Sequence, residues 1–311
     1  MRWNFRFIML LIAFSPIISQ AQLPNSFPTS GLVAYYPFNG NANDASGNNN
    51  NGIVHGAKLV PDRFGNYNNA YEFNIGDGDT SDYIDIPNNS TLEPSSSISI
   101  SAWVWISDSA TQNFQRMISK NYSPHPQNYS SYQLIAGNEG QDSLGYPGLT
   151  ILTSNGYNWT GHSGSSFINQ WVNICGTWDG SNMRFYQNGI LTATVPEAGN
   201  ILYDTEDLWI AKGLQPVGNQ PYSEYFKGYI DDVGIWNRAI SDSEINEVFN
   251  YTGGCVGINT TTPARNLDIN NTLRIEPRNS APSNPSAGDI YFDSTLKMLR
   301  VFDGTQWQNC W

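Results

Sequence analysis

The stretch that most constrains this chain runs from Gly228 to Trp236, Gly-Tyr-Ile-Asp-Asp-Val-Gly-Ile-Trp. Strict two-residue alternation sets Tyr229, Asp231, Val233 and Ile235 on one side of a strand and Ile230, Asp232, Gly234 and Trp236 on the other. Large apolar groups on both sides predict a strand buried on both faces, near the middle of a sandwich. A carboxylate on each face of such a strand is costly unless a cation or a donor meets it. Just beyond, Ser241 with Glu244 three residues on predicts a capped short helix ending near Asn250.

Short alternating runs recur along the chain and predict an all-β fold. Within Ser97 to Ile106, Ile98, Ile100, Ala102, Val104 and Ile106 face one way, with Trp103 and Trp105 interleaved on the other side. Trp171 to Trp178 and Met183 to Gln187 form a predicted hairpin around Asp179-Gly180. Further strands are expected at Leu32–Phe38, Ala70–Asn74, Tyr83–Ile86, Met117–Lys120, Tyr132–Ala136, Leu149–Leu152 and Leu208–Ala211. Asn39–Gly52 and Asn155–Ser166 read as polar loops. Only 14% of residues are charged and the net charge is −12, which argues against nucleic acid and anionic membranes as partners.

The two ends carry other signals. Arg2 and Arg6, an apolar run from Phe7 to Ile18 and then Ser19-Gln20-Ala21 read as a secretory signal peptide over residues 1–21, too short to span a bilayer. A secreted or cell-surface protein without membrane insertion is expected. The first domain is placed at residues 25–252. Residues 253–311 form a small β-module containing a Pro/Ser/Asn-rich linker, Pro277 to Gly288, and two or three short strands within Asp289–Trp307. That segment is too poor in apolar residues for a robust independent core. It needs a staple, a docking surface or copies of itself, so self-association is one expectation. Cys255 and Cys310 bracket it and are the natural disulfide pair in an exported chain. The alternatives are pairing with another chain or two reduced thiols. Cys175 reads as a buried free thiol.

Gly228-Tyr-Ile-Asp-Asp-Val-Gly-Ile-Trp-Asn-Arg-Ala-Ile-Ser resembles the closing strand of laminin-G-like jellyrolls in the concanavalin A-like lectin and glucanase superfamily. Gly31-Leu-Val-Ala-Tyr-Tyr-Pro-Phe-Asn-Gly-Asn resembles the family's opening strand, and Gly176-Thr-Trp-Asp-Gly-Ser-Asn-Met-Arg-Phe-Tyr-Gln-Asn-Gly its most specific internal match. The resemblance covers roughly residues 31 to 250 and implies a sandwich of two antiparallel sheets, with the opening strand paired to the closing one. It also suggests a hairpin linking the strands near Ala70 and Ile86. The C-terminal segment from Val256 resembles repeats near the ends of bacterial surface proteins and phage tail fibres.

The family includes enzymes and binding modules. Retaining glycosidases need two carboxylates about 5–5.5 Å apart, and no strand carries the alternating acid run that supplies them. Asp204, Glu206 and Asp207 have the wrong spacing. His55, His125 and His162 lack zinc-site spacing, and no nucleophile elbow is present. The reading is a non-catalytic module that recognises glycans or a surface partner. A structural adhesion component and a polysaccharide hydrolase are the competing classes. The resemblance implies a structural calcium, with Asp44 and Asp231 or Asp232 as candidate ligands. The alternative is that Asp231 accepts hydrogen bonds from backbone or an arginine. Tyr122, Tyr129, Tyr146, Tyr157 and Trp159 are candidate sugar-binding rings, or rings that merely cover the sandwich edges.

Overall fold

The computed structural model describes residues 27–75, 81–108, 115–122, 130–136, 147–161, 167–217, 220–251, 256–258, 267–269, 275, 277–282, 285, 287 and 289–310. The chain divides into two compact units, Met1–Gly254 and Cys255–Trp311. The predicted leader at 1–21 lies outside the described residues.

The strands of the first unit are β1 (Leu32–Tyr36), β2 (Ile53–His55), β3 (Lys58–Val60), β4 (Ala70–Phe73), β5 (Tyr83–Ile86), β6 (Ile98–Ile106), β7 (Gln115–Asn121), β8 (Ser130–Ala136) and β9 (Pro147–Thr153). They continue with β10 (Gly156–Gly161), β11 (Trp171–Trp178), β12 (Asn182–Gln187), β13 (Ile190–Pro196), β14 (Leu208–Ile210), β15 (Lys212–Val217), β16 (Gln220–Tyr225) and β17 (Gly228–Trp236), followed by α1 (Asp242–Phe249). One antiparallel sheet runs β13-β12-β11-β6-β17-β4-β3, with β1 also paired to β17; the other runs β10-β9-β8-β7-β14-β5-β2. The two sheets form a jellyroll sandwich. Its core lies between Ile98, Ile100, Ala102, Val104 and Ile106 on the first sheet and Ile84, Ile86, Ile118, Leu134, Leu149, Ile151, Leu208 and Ile210 on the second.

The opening strand pairs with the closing one as expected, Leu32 opposite Trp236 and Tyr36 opposite Val233. Ser241 caps α1, and Glu244 completes the capping box. Three features differ from what the sequence alone leads us to expect. The strands near Ala70 and Ile86 are not a hairpin: β4 belongs to the first sheet and β5 to the second. Asn155–Ser166 is not simply a loop, because Gly156–Gly161 pairs with β9 along its whole length. Lys212–Val217 and Gln220–Tyr225 form a hairpin that no alternation of apolar residues announced.

A fourth difference concerns β17 itself. Its strict alternation breaks at Asp232, where Asp231 stands opposite Trp103 but Gly234 stands opposite Ser101. One extra residue is inserted, a β-bulge. Asp232 takes φ +47°, a left-handed conformation that Asp tolerates better than most residues. Ile230, Val233 and Ile235 therefore all face the main core. Trp236 joins a second cluster, with Phe27, Tyr35, Cys175, Ile245 and Val248, to which α1 contributes. Cys175 is thus buried as predicted, but in this second cluster rather than between the sheets, and burial pushes its thiol up to about 12. The bulge also marks a change of partner: Gly228–Ile230 pair with β4, and Val233–Trp236 with β1.

Arg63, from the turn between β3 and β4, meets both carboxylates. Its Nη1 donates to Asp231 Oδ2 at 2.7 Å. Its Nη2 lies 2.8 Å from Asp232 Oδ2, an ion pair whose angle falls outside hydrogen-bond geometry. The same Nη2 donates to the Tyr251 carbonyl at 2.7 Å, and the Tyr35 hydroxyl donates to Asp232 Oδ1 at 2.6 Å. The guanidinium lies over the rings of Trp103 (4.4 Å) and Phe64 (4.5 Å). Burial pushes the Asp231 carboxyl well above its ordinary range, the charge of Asp232 adds to that, and Arg63 offsets part of it.

The second unit contains β18 (Val256–Ile258) paired in parallel with β19 (Leu267–Ile269), and a four-stranded sheet of β20 (Pro277–Arg278), β21 (Ile290–Asp293), β22 (Met298–Phe302) and β23 (Trp307–Asn309). The predicted linker therefore begins as an edge strand. Trp307 meets Tyr291 edge-on at 4.7 Å and Phe302 at 5.3 Å, while Ile290 and Leu296 are exposed. Cys310 is a half-buried thiol, and Cys255, its expected partner, lies outside the described residues.

Arg63→Ala leaves two buried carboxylates without their cation, a loss that costs about 3–5 kcal/mol. Denaturant unfolding of the variant should show that drop. An unchanged midpoint would mean that the carboxylates are satisfied without Arg63.

Candidate binding face

The second sheet has one face turned into the core and one turned away from it. On the outward face, register aligns a row across six strands: Trp159 of β10 opposite Thr150 of β9, Thr150 opposite Gln133 of β8, and Gln133 opposite Ser119 of β7. Ser119 in turn stands opposite Trp209 of β14, and Trp209 opposite Asp85 of β5. Thr150, Gln133, Ser119, Trp209 and Asp85 each alternate with a core residue, so the pattern that fills the core also places them outward, and register aligns Trp159 with them. The two tryptophans are four strand spacings apart, about 19 Å.

Between them the floor is polar and buried: Ser119, Gln133 and Thr150 are each at most 2% exposed. Gln133 Nε2 donates to the Tyr157 hydroxyl at 3.0 Å, Ser130 Oγ donates to Gln133 Oε1 at 3.2 Å, and Ser119 Oγ lies 2.6 Å from Ser130 Oγ. Thr150 Oγ1 and Trp159 Nε1 are buried and, among the described residues, find no hydrogen-bond partner. Unmet polar groups of this kind are rare in folded proteins and need a reason.

Trp159 is half-buried, and its ring lies close against the backbone of two glycines. A Cβ at Gly148 would come 2.3 Å from Trp159 Nε1, and one at Gly161 would come 2.4 Å from its Cζ2. These glycines face each other in the β9–β10 register. Their missing side chains leave the space that the indole occupies. At the far end, Trp209 Nε1 donates to Asp85 Oδ1 at 2.8 Å, and Tyr83 packs edge-on against Trp209 at 6.3 Å.

Of the rings expected to bind sugar, Tyr157 and Trp159 lie on this face. Tyr122 is half-buried just past the end of β7, and Tyr129 and Tyr146 lie outside the described residues. Sequence reasoning missed Trp209, Gln133 and Thr150. The signal was present in Leu208-Trp209-Ile210 and Tyr132-Gln133-Leu134, where the central residue must oppose its apolar neighbours.

The three carboxylates expected to hold calcium are not brought together as a ligand set. Asp44 Oδ1 accepts the amides of Tyr35 (3.0 Å) and Ser46 (2.8 Å), and Oδ2 accepts the Asn50 amide (3.0 Å) and the Ser46 hydroxyl (2.9 Å). It thereby pins the opening loop to β1. Asp231 and Asp232 already share the Arg63 cation, so an ion there would have to displace a buried guanidinium. This donor set does not fit calcium. Among the described residues, no group of three or more His, Cys, Asp or Glu side chains is placed to hold a metal.

A family model described as the concanavalin A-like lectin/glucanases superfamily matches residues 77–246, more than half of the chain. No curated protein matches it. Among solved structures, the chain is similar to domain 4 of AbnA, an extracellular GH43 arabinanase from Geobacillus stearothermophilus, in complex with arabinotriose. Identity is 18%, the TM-score 0.52, and the match covers 70% of this chain and 98% of that one. It is also similar to the binding domain of botulinum neurotoxin DC in complex with SialylT, at 17% identity and TM-score 0.51, covering 71% of this chain and 52% of that one. The botulinum neurotoxin D ligand-binding domain in complex with N-acetylneuraminic acid matches at 19% identity and TM-score 0.51, over 71% and 51% of the two chains. The match spans about half the length of the toxin domains.

Gly148→Ala should push the Trp159 ring off the sheet, at the roughly 1–3 kcal/mol typical of overpacking. The Trp159 indole N–H resonance should move, and a spectrum unchanged at that position would mean that the ring does not rest on Gly148. Dialysis against EDTA should leave the unfolding temperature where it was; a fall would place an ion on the chain.

Proposed function

The chain belongs to the concanavalin A-like lectin/glucanases superfamily, and from that premise we propose that its jellyroll is a non-catalytic, exported module that binds glycans on the outward face of the second sheet. The observation that carries this reading is the row between Trp159 and Trp209. Flat apolar rings stand at its two ends, and hydroxyls and an amide form the floor between them. Sugars present C–H faces that stack on rings and hydroxyl rims that donate to and accept from such groups. Thr150 Oγ1 and Trp159 Nε1 are buried and find no partner among the described residues; the half-buried rings of Trp159 and Trp209 are the parts of the row that a sugar meets first.

The non-catalytic part of the reading rests on the chemistry of the floor. Hydrolysis by a pair of carboxylates needs an acid and a second carboxylate on either side of the scissile bond. Ser119, Gln133 and Thr150 occupy the middle of the row instead. The arabinotriose-bound arabinanase domain and the sialic-acid-bound toxin domain lend support as relatives in fold whose sugars differ.

A glycan array on the full chain tests the proposal, followed by titration of the best hit against two variants. Trp159→Ala and Trp209→Ala should each weaken binding by at least about tenfold, the scale of a hot-spot ring. Trp171→Ala, on the outward side of the other sheet, serves as the control and should bind as the parent does. An array without hits would overturn the proposal, as would binding that ignores both row variants.

A further inference from the structure

The Trp209 end of the row carries a cation that the sugar-binding reading does not by itself require. Lys212 opens β15 directly after Ala211, whose φ of +68° turns the chain out of β14. Its Nζ lies 3.9 Å from the centre of the Trp209 ring, 4.1 Å from that of Tyr83 and 6.0 Å from that of Tyr225. His55 stacks on Tyr83 at 4.5 Å. Rings hold the ammonium in place through their negative faces.

What distinguishes Lys212 is how its charge is met. Arg63 is shared by Asp231 and Asp232, Arg116 Nε bonds Glu224 at 2.7 Å, and Lys120 lies 3.8 Å from Glu93. The Lys212 ammonium makes no hydrogen bond and no ion pair among the described residues, although the side chain is half-buried. The carboxylate facing it, Asp85, lies beyond ion-pair distance and accepts from Trp209 Nε1 instead. Burial, with the charge of Asp207, pushes the Asp85 carboxyl above its ordinary value. An ammonium carries three strongly hydrated donors. Here rings fix it in position and leave those donors unused.

We propose that Lys212 selects an anionic glycan, receiving a sugar carboxylate or sulfate beside the Trp209 ring. The inference rests on the binding face described above and names the class of ligand for it. The net charge of −12 does not forbid such a ligand. Beyond about 8 Å, physiological salt screens the distant carboxylates, so the ammonium against the ring dominates at contact.

The test presents the full chain with an array of uronic-acid, sialic-acid and sulfated glycans. Each is printed beside its neutralised form, carboxyl-reduced or desulfated. The expected result is a hit that loses at least about tenfold in affinity on neutralisation, the scale of one charge-assisted hydrogen bond. Which neutralisation removes the hit identifies carboxylate or sulfate as the anion. Lys212→Gln should bind acidic and neutral forms alike, while Lys212→Arg should keep the preference, with unchanged melting temperatures showing that both variants fold. Equal binding of acidic and neutral partners by the parent chain would overturn this inference and leave the binding face standing. So would a preference for the acidic form that survives Lys212→Gln. An array with no hits of any kind would overturn both.

Discussion

One guanidinium holds the closing strand in the shape that the sandwich requires. Asp231 and Asp232 are neighbours in sequence and both are buried, a placement that costs several kcal/mol per ion without compensation. Arg63 meets both because its planar fork spans separate carboxylates, Nη1 donating to Asp231 and Nη2 forming an ion pair with Asp232. Burial alone would depress the guanidinium; the charges of Asp232 and Asp231 outweigh that and hold it above its ordinary value. A lysine could not bridge the pair in this way. The bulge that brings the two carboxylates to one cation is also where β17 exchanges β4 for β1. Pairing of the first and last strands of the jellyroll therefore depends on how that charge is settled.

The bulge divides the work of the two sheets. It turns Trp236 toward the cluster shared with α1, while Phe249 of the helix stacks on Trp103 at 5.6 Å. Across the same outward face Trp105 stacks on Tyr229 at 4.8 Å, and Tyr229 reaches Trp171 at 6.1 Å. The outward side of the first sheet is thus filled largely with contacts of the chain to itself. The second sheet puts hydroxyls, an amide and widely separated rings at the corresponding positions.

Alternation in sequence foretold much of this and missed the rest for definable reasons. Ile98 to Ile106, the hairpin at Asp179-Gly180 and the capping box at Ser241 each depend on neighbours within a few residues, and each appears where expected. A bulge is invisible to a two-residue period because its single extra residue looks like the next member of the series. Arg63 was anticipated only as some arginine; it lies 168 residues from Asp231, and nothing local marks it. Gly156–Gly161 looked like a loop because Gly, Asn and Thr dominate it. Gly161, with Gly148 of β9, instead makes room for a large ring. Trp209 and Gln133 sat in plain alternation, but flanking apolar residues drew attention to the core and away from the face opposite.

The polar floor then raises a question of stability. A buried hydroxyl or indole N–H left without a partner costs about 1–3 kcal/mol, so Thr150 and Trp159 together are a drain that an inert surface would not need. Replacing Thr150 by Val would keep the shape and remove the penalty, and a sheet selected only to fold has no reason to keep the hydroxyl. On a face that receives a ligand the sign changes. Groups already stripped of water by the fold have little hydration left to lose, and each hydrogen bond the ligand supplies removes a cost carried by the free protein. That differential favours the bound state once the groups covering Thr150 and Trp159 Nε1 give way. On the proposed binding role, this accounts for Thr150 in the middle of the row and the Trp159 N–H at its end, whereas Ser119 and Gln133 are already hydrogen-bonded within the sheet.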